Sequence, residues 1–198
     1  MHKYLSLFSC WLLLTGSHQT PPPAFPDVPV ITEKSVGKAR IGMPITQLRE
    51  LYKGCTFSPA HMLAYGFDDT AAKPNGVMVK SGSRQLFLYF ADWQTKKKVA
   101  CLLAFHPAYK TATGIHVGST SGQLKVALPA VTVGPNELMT EMQIAAVDRS
   151  EGGEEKQPII QYVFNKQGFL GKNKDSIEPS EIAVLNAKIS WIQVFPNP

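Results

Sequence analysis

The chain repeats itself, and a repeat constrains architecture more tightly than any single motif within it. Ile41-Gly42-Met43 is followed, after three residues, by Gln47-Leu48 and then by Leu51-Tyr52. Val117-Gly118-Ser119 is followed at the same spacing by Gln123-Leu124 and then by Ala127-Leu128. Further along, Leu86 to Phe90 matches Ile160 to Phe164, and Cys101 to Pro107 matches Ser190 to Pro196. The three matches keep their order. The wider spacing of the last one puts extra residues of the second copy within 165–188.

Each copy has the same grammar. A short strand ends at a glycine, the residue that suits a tight turn. A helix follows. Pro44 fits a first helical turn, with Ile45, Leu48, Leu51 and Tyr52 on one face. Thr120 and Gln123 form a capping-box pair, with Leu124, Ala127 and Leu128 on the buried side. Strands come next: 76–80, 85–90 and 99–105 in the first copy, and 139–147, 158–164 and 189–195 in the second. The pattern predicts an α+β fold of two tandem helix-plus-antiparallel-sheet units, 34–110 and 111–198, packed together. Units of this size have marginal cores alone, so a shared interface is the physical reason for the tandem.

Gly42-Met43 with Gln47-Leu48 and Leu51 resembles the helix start of the SmpA/OmlA lipoproteins, the BamE-like family. The doubled form is similar to the β-lactamase inhibitor protein fold, which has two helix-plus-four-strand units. The resemblance implies a non-catalytic envelope protein. BamE-like proteins carry one copy and belong to outer-membrane assembly, and inhibitor-like proteins bind an enzyme with an exposed sheet. This chain departs from both. It has neither the lipidated cysteine of the first nor the second cysteine pair of the other.

Residues 1–17 read as an export signal. His2 and Lys3 are basic, Leu5 to Leu14 is an apolar run, and Leu14-Thr15-Gly16-Ser17 supplies small residues for cleavage. Ten helical residues reach about 15 Å, half a bilayer core, so the run is no stable span. The stretch also resembles a lipoprotein signal in which Ser17 stands where the lipid-bearing cysteine would be. A hydroxyl cannot replace the thioether, and Cys10 lies too near the start to serve. Residues 18–33 form a Pro-rich spacer, with five prolines in Thr20 to Val30. These features predict a protein exported to the periplasm or associated with the outer membrane. The net charge of +5 is too small for a dedicated nucleic-acid binder.

Two cysteines outlast the signal. In an oxidising compartment the even pair Cys55 and Cys101 predicts one disulfide, worth about 3–4 kcal/mol for a loop of about 45 residues. The alternative is two buried free thiols. Strand alternation, counted from Leu86, puts Phe87, Tyr89, His106, Trp191 and Phe195 on one open sheet face. Such an aromatic face suits a protein partner. Otherwise the sheets, or a loop such as 165–188, cover it. Lys96, Lys97 and Lys98 occupy one turn, and Lys166, Lys172 and Lys174 the matching loop. If the two point the same way they offer a contact for anionic lipid; otherwise they are solvated tips.

The histidines His61, His106 and His116 lack metal-ligand spacing, so neither a metal nor a cofactor is expected. Asp68-Asp69 reads as a surface turn rather than a cation site. No nucleophile-elbow, P-loop or dinucleotide motif is present. The sequence therefore predicts a non-catalytic exported envelope protein that binds a protein partner through the aromatic face. The alternative is a small hydrolase or thiol enzyme whose site is assembled from distant residues.

Overall fold

The structure, a computed structural model, describes residues 25, 27–68, 76–147, 160–173 and 178–195. The signal, half of the spacer (18–24 and 26), Asp69 and Lys174 lie outside the described residues.

Ile31–Thr32 (β1), Ser35–Val36 (β2) and Ala39–Arg40 (β3) form a small antiparallel meander. Helix α1, Ile45–Leu51, leads into four strands: Thr56–Ala60 (β4), Gly76–Ser81 (β5), Arg84–Ala91 (β6) and Val99–Ala104 (β7). Helix α2, Ser121–Ala127, leads into Val131–Pro135 (β8), Met142–Val147 (β9), Ile160–Asn165 (β10), Ser180–Glu181 (β11) and Trp191–Val194 (β12). The large sheet has nine strands in the order β11-β8-β9-β10-β12-β7-β6-β5-β4. The described residues are thus mostly β, with twelve strands in two antiparallel sheets and two α-helices of seven residues each. This corrects the expected α+β fold of two helix-plus-sheet units.

The physical reason lies at the centre of the sheet. β7 and β12 pair antiparallel, Ile192 opposite Ala104 and Val194 opposite Leu102. Each would otherwise expose a row of unpaired amides and carbonyls. Their pairing joins the four strands of the first half and the five of the second into one continuous sheet, with the helices reduced to about two turns each.

The two halves still share local chemistry. Gly42 and Gly118 both adopt left-handed backbone, φ 79° and 91°. Each donates its amide to the approach or start of its half's last strand, Gly42 to Val99 O at 2.8 Å and Gly118 to Ile189 O at 2.9 Å. A side chain at either site would meet strain from the backbone alone. The capping box of α2 is complete: Gln123 N donates to Thr120 Oγ1 at 3.1 Å, and Thr120 N to Gln123 Oε1 at 2.8 Å. The extra segment of the second half adds β11 to the sheet edge and then runs along α2. Ser121 N donates to Ala187 O, Gly122 N to Leu185 O, and Ser121 Oγ to Val184 O.

Both faces of the large sheet are covered. The first carries Tyr52, Leu48, Phe87, Tyr89, Leu102, Tyr109, Leu124, Phe164 and Ile192, together with the meander residues Ile31, Val36 and Ala39. The second carries Leu88, Phe90, Cys101, Leu103, Met142, Val163 and Trp191.

Candidate binding surfaces

The sequence-predicted aromatic face does not exist as a surface. Phe87 and Tyr89 are buried against the helix side of the sheet, where the Tyr52 and Phe87 rings meet edge-on at 4.9 Å. Trp191 is buried on the opposite side, with Phe195 half-buried beside the same cluster. The cause is a β-bulge. Val79 pairs with Phe87 but Lys80 pairs with Gln85, leaving Leu86 as the extra residue. Leu86 and Phe87 therefore both reach the first-face core. One extra residue reverses every later side chain of the strand.

The cover of the second face comes from the connections β4–β5 and β8–β9. The 3-10 turn Met62–Tyr65 and Phe67 lie over it. Tyr65 meets Trp191 and Phe105 edge-on, each at 5.7 Å, and Phe67 meets Phe90 at 5.0 Å and Phe195 at 5.7 Å. The two connections start from opposite ends of the sheet and meet where Asn136 Nδ2 donates to Gly66 O at 3.0 Å. Beneath them, Trp191 Nε1 donates to Gln193 Oε1 at 3.3 Å, and Gln193 Nε2 to Gln161 Oε1 at 2.6 Å. These bonds satisfy polar groups that an apolar cover would otherwise strand.

His106 is not on a partner face either. Its ring lies 4.9 Å from that of Phe25, and its Nδ1 accepts from Ala108 N at 3.2 Å. Burial, followed by the charge of Arg84, lowers its pKa. Phe25 belongs to a strap that closes on the first face. The Asp27 carboxylate accepts from the hydroxyls of Tyr52 and Tyr109, the latter at 2.7 Å, and from Lys38 N at 3.0 Å. Sequence reasoning missed this cluster because its members are scattered from position 27 to position 109.

Cys55 and Cys101 are free thiols rather than the expected disulfide. Cys55 packs with the first-face core and Cys101 belongs to the second. The sheet stands between the two sulfurs. A second bulge does this, since Phe90 pairs with Cys101 but Ala91 pairs with Val99. Burial raises both thiol pKa values, the direction opposite to that of a reactive thiolate. No group of three or more His, Cys, Asp or Glu able to hold a metal occurs among the described residues.

The two basic loops do not form one patch: Lys96, Lys97 and Lys98 precede β7 in the middle of the large sheet, whereas Lys172 lies beside β11 at its edge, where its N–H donates to Glu181 O at 3.1 Å. Lys172 is also engaged, its Nζ lying 2.7 Å from Glu181 Oε2.

Two exposed features stand out among the described residues. The first is a groove of about 750 Å³ beside α2, lined by residues that include Ile115, His116, Gln123, Val126, Ala127 and Leu185. Val126 is 83% exposed and Leu185 54%. A solvated helix face is normally polar, so this side of α2 breaks the usual pattern. The second is the β6–β7 turn, which displays Trp93 at 78% exposure next to Lys96, Lys97 and Lys98.

No family model and no curated protein matches the chain. Among solved structures, it is similar to the crystal structure of the uncharacterized protein YfeY from Escherichia coli, with TM-score 0.52 and 15% identity over 83% of this chain and 97% of that one. The likeness is one of fold. No described helix is long and apolar enough to cross a membrane.

Proposed function

We propose that this chain is a non-catalytic, exported protein of a bacterial envelope that binds a protein partner at the groove beside α2. The observation that carries this reading is Val126, almost fully exposed on α2 and facing a groove also lined by the exposed Leu185. The groove is shallow and open, a shape that suits the surface of a protein partner better than an enclosed small molecule. Apolar walls supply affinity, and His116, Thr120 and Gln123 supply polar groups that would orient a bound segment. The basic start, apolar run and proline spacer support export. The buried aromatic face has no part in this reading.

The test is site-specific photo-crosslinking in living bacteria. A photoreactive phenylalanine at position 126 should give a discrete adduct that the same probe at exposed Lys53 does not, and Leu185→Glu should remove it. Equal labelling at both positions would overturn the groove as a partner site. N-terminal sequencing of the periplasmic protein should place its start near Ser17, and an uncleaved Met1 would remove the export reading.

A further inference from the structure

The β6–β7 turn is built to hold one shape. The Asp92 carboxylate accepts from Thr95 N at 2.7 Å, from Thr95 Oγ1 at 2.8 Å, and from Lys97 N and Lys98 N at 3.0 Å each. These backbone bonds, first Thr95 and then Lys98, hold the carboxyl well below its usual range. Asp92 N donates to Lys98 O at 2.8 Å, and Lys96 N to Asp92 O at 3.0 Å. Ile45 N donates to Lys97 O at 2.9 Å, which ties the turn to α1. Lys96 sits at φ 57°, a left-handed conformation costly for a side chain with a Cβ. Fixed turns that carry such strain concentrate at functional sites.

What this frame displays is an aromatic ring and a group of cations. Trp93 is 78% exposed. Lys96, Lys97 and Lys98 are exposed beside it, and neither Lys97 nor Lys98 forms an ion pair with a described residue. The single acid of the turn, Asp92, is turned inward onto backbone amides. Tryptophan rings settle at the headgroup level of a bilayer, where an amphipathic ring is neither fully wet nor fully dry. Lysines next to such a ring add attraction to an anionic surface.

We infer that the Asp92–Lys98 turn docks on an anionic phospholipid bilayer, with Trp93 entering the headgroup layer and Lys97 and Lys98 facing lipid phosphates. The site is the turn alone, since Lys172 is paired with Glu181 and lies beside β11 at the edge of the sheet, away from β7. This contact is independent of the groove beside α2, and it would orient that groove relative to the membrane.

The experiment is co-sedimentation with vesicles. It uses the chain from His18 onward, which keeps every described residue and removes the apolar run 5–14. Vesicles of phosphatidylcholine are compared with vesicles of equal parts phosphatidylcholine and phosphatidylserine. Binding should appear with the anionic vesicles at low salt, shift Trp93 emission to the blue, and weaken as salt rises. At roughly fivefold per lysine, Lys97→Gln with Lys98→Gln should weaken binding about twentyfold or more. Trp93→Ala should abolish the blue shift and weaken binding to the anionic vesicles. All three positions are exposed, so the variants should keep the native circular dichroism spectrum. No association with anionic vesicles at low salt, or association unchanged in the lysine and tryptophan variants, would overturn the inference.

Discussion

Tyr109→Phe should destabilise the fold through one lost hydrogen bond. Tyr109 is fully buried, and its hydroxyl donates to Asp27 at 2.7 Å. A hydrogen bond to a charged group contributes about 1.5–3 kcal/mol net. Asp27 keeps Tyr52 and the amides of Val28 and Lys38 as donors, and it is only half-buried. The loss therefore sits at the low end, about 1.5 kcal/mol. Phenylalanine leaves no orphan donor and keeps the contact with Phe25, whose ring lies 5.1 Å away. At about 2–4 °C per kcal/mol for a domain of this size, the melting temperature should fall by about 3–6 °C. The assay is urea unfolding followed by circular dichroism, with midpoint and slope both fitted. A double-mutant cycle with Asp27→Ala isolates the pair. Tyr109→Phe should cost at least about 1 kcal/mol less in the Asp27→Ala background than in wild type. A single-mutant loss below about 0.5 kcal/mol with an additive cycle would refute the account of the strap as a fixed part of the core.

Alkaline pH offers a second check on the same cluster. Burial, with help from Asp27, raises the pKa of Tyr52 and Tyr109. A raised folded-state pKa contributes stability that is present below the unfolded value near 10 and is lost as pH climbs above it. Each tyrosine should steepen that loss by up to about 1.4 kcal/mol per pH unit, and a pH series of urea midpoints in which Tyr109→Phe fell as steeply as wild type would contradict this. Gly66→Ala should destabilise by about 1–2 kcal/mol from its φ of 82° alone, and its Cβ would also meet Asn136 Nδ2 and Met142 Sδ at 2.8 Å. Thermal melting reads this directly, and an unchanged midpoint would mean the two crossing connections are not locked. Without reductant, mass spectrometry should find both Cys55 and Cys101 alkylatable in denaturant, and in the folded protein Cys101 should react far more slowly than Cys55. A mass lower by two hydrogen atoms, with no reactive thiol, would instead mark a disulfide.

Much of the local structure was legible in the sequence, and long-range placement was not. Thr120 and Gln123 announced their capping box because both partners lie within one helical turn. Gly42 and Gly118 announced turns because left-handed backbone selects for glycine. The second half's alternation was readable too: Ile160, Tyr162, Phe164, Ile192 and Val194 all pack on the first face. In the first half the same count failed at Leu86, because nothing in Gln85-Leu86-Phe87 shows that two consecutive residues oppose one. That one-residue slip put Phe87 and Tyr89 on the wrong side, and a second slip at Ala100 separated Cys101 from Cys55. The β7–β12 pairing was also hidden. It depends on two strands from different halves meeting edge to edge, and no local pattern encodes such a partner. Trp93 was visible as a residue but not as a site. Its meaning rests on the Asp92 frame, which forms only when the turn folds.

Tryptophan quenching tests most directly the claim that the aromatic sheet face is interior and that binding surfaces lie elsewhere. In the chain from His18 onward, two of the three tryptophans remain, Trp93 and Trp191. Trp191 is 4% exposed and Trp93 78%. The variant Trp93→Phe, which reports on Trp191 alone, should emit in the blue and resist acrylamide. The variant Trp191→Phe should emit in the red and be quenched almost as readily as a free indole. Strong quenching of Trp191 in the folded protein would reopen the aromatic face as a binding surface and contradict the account.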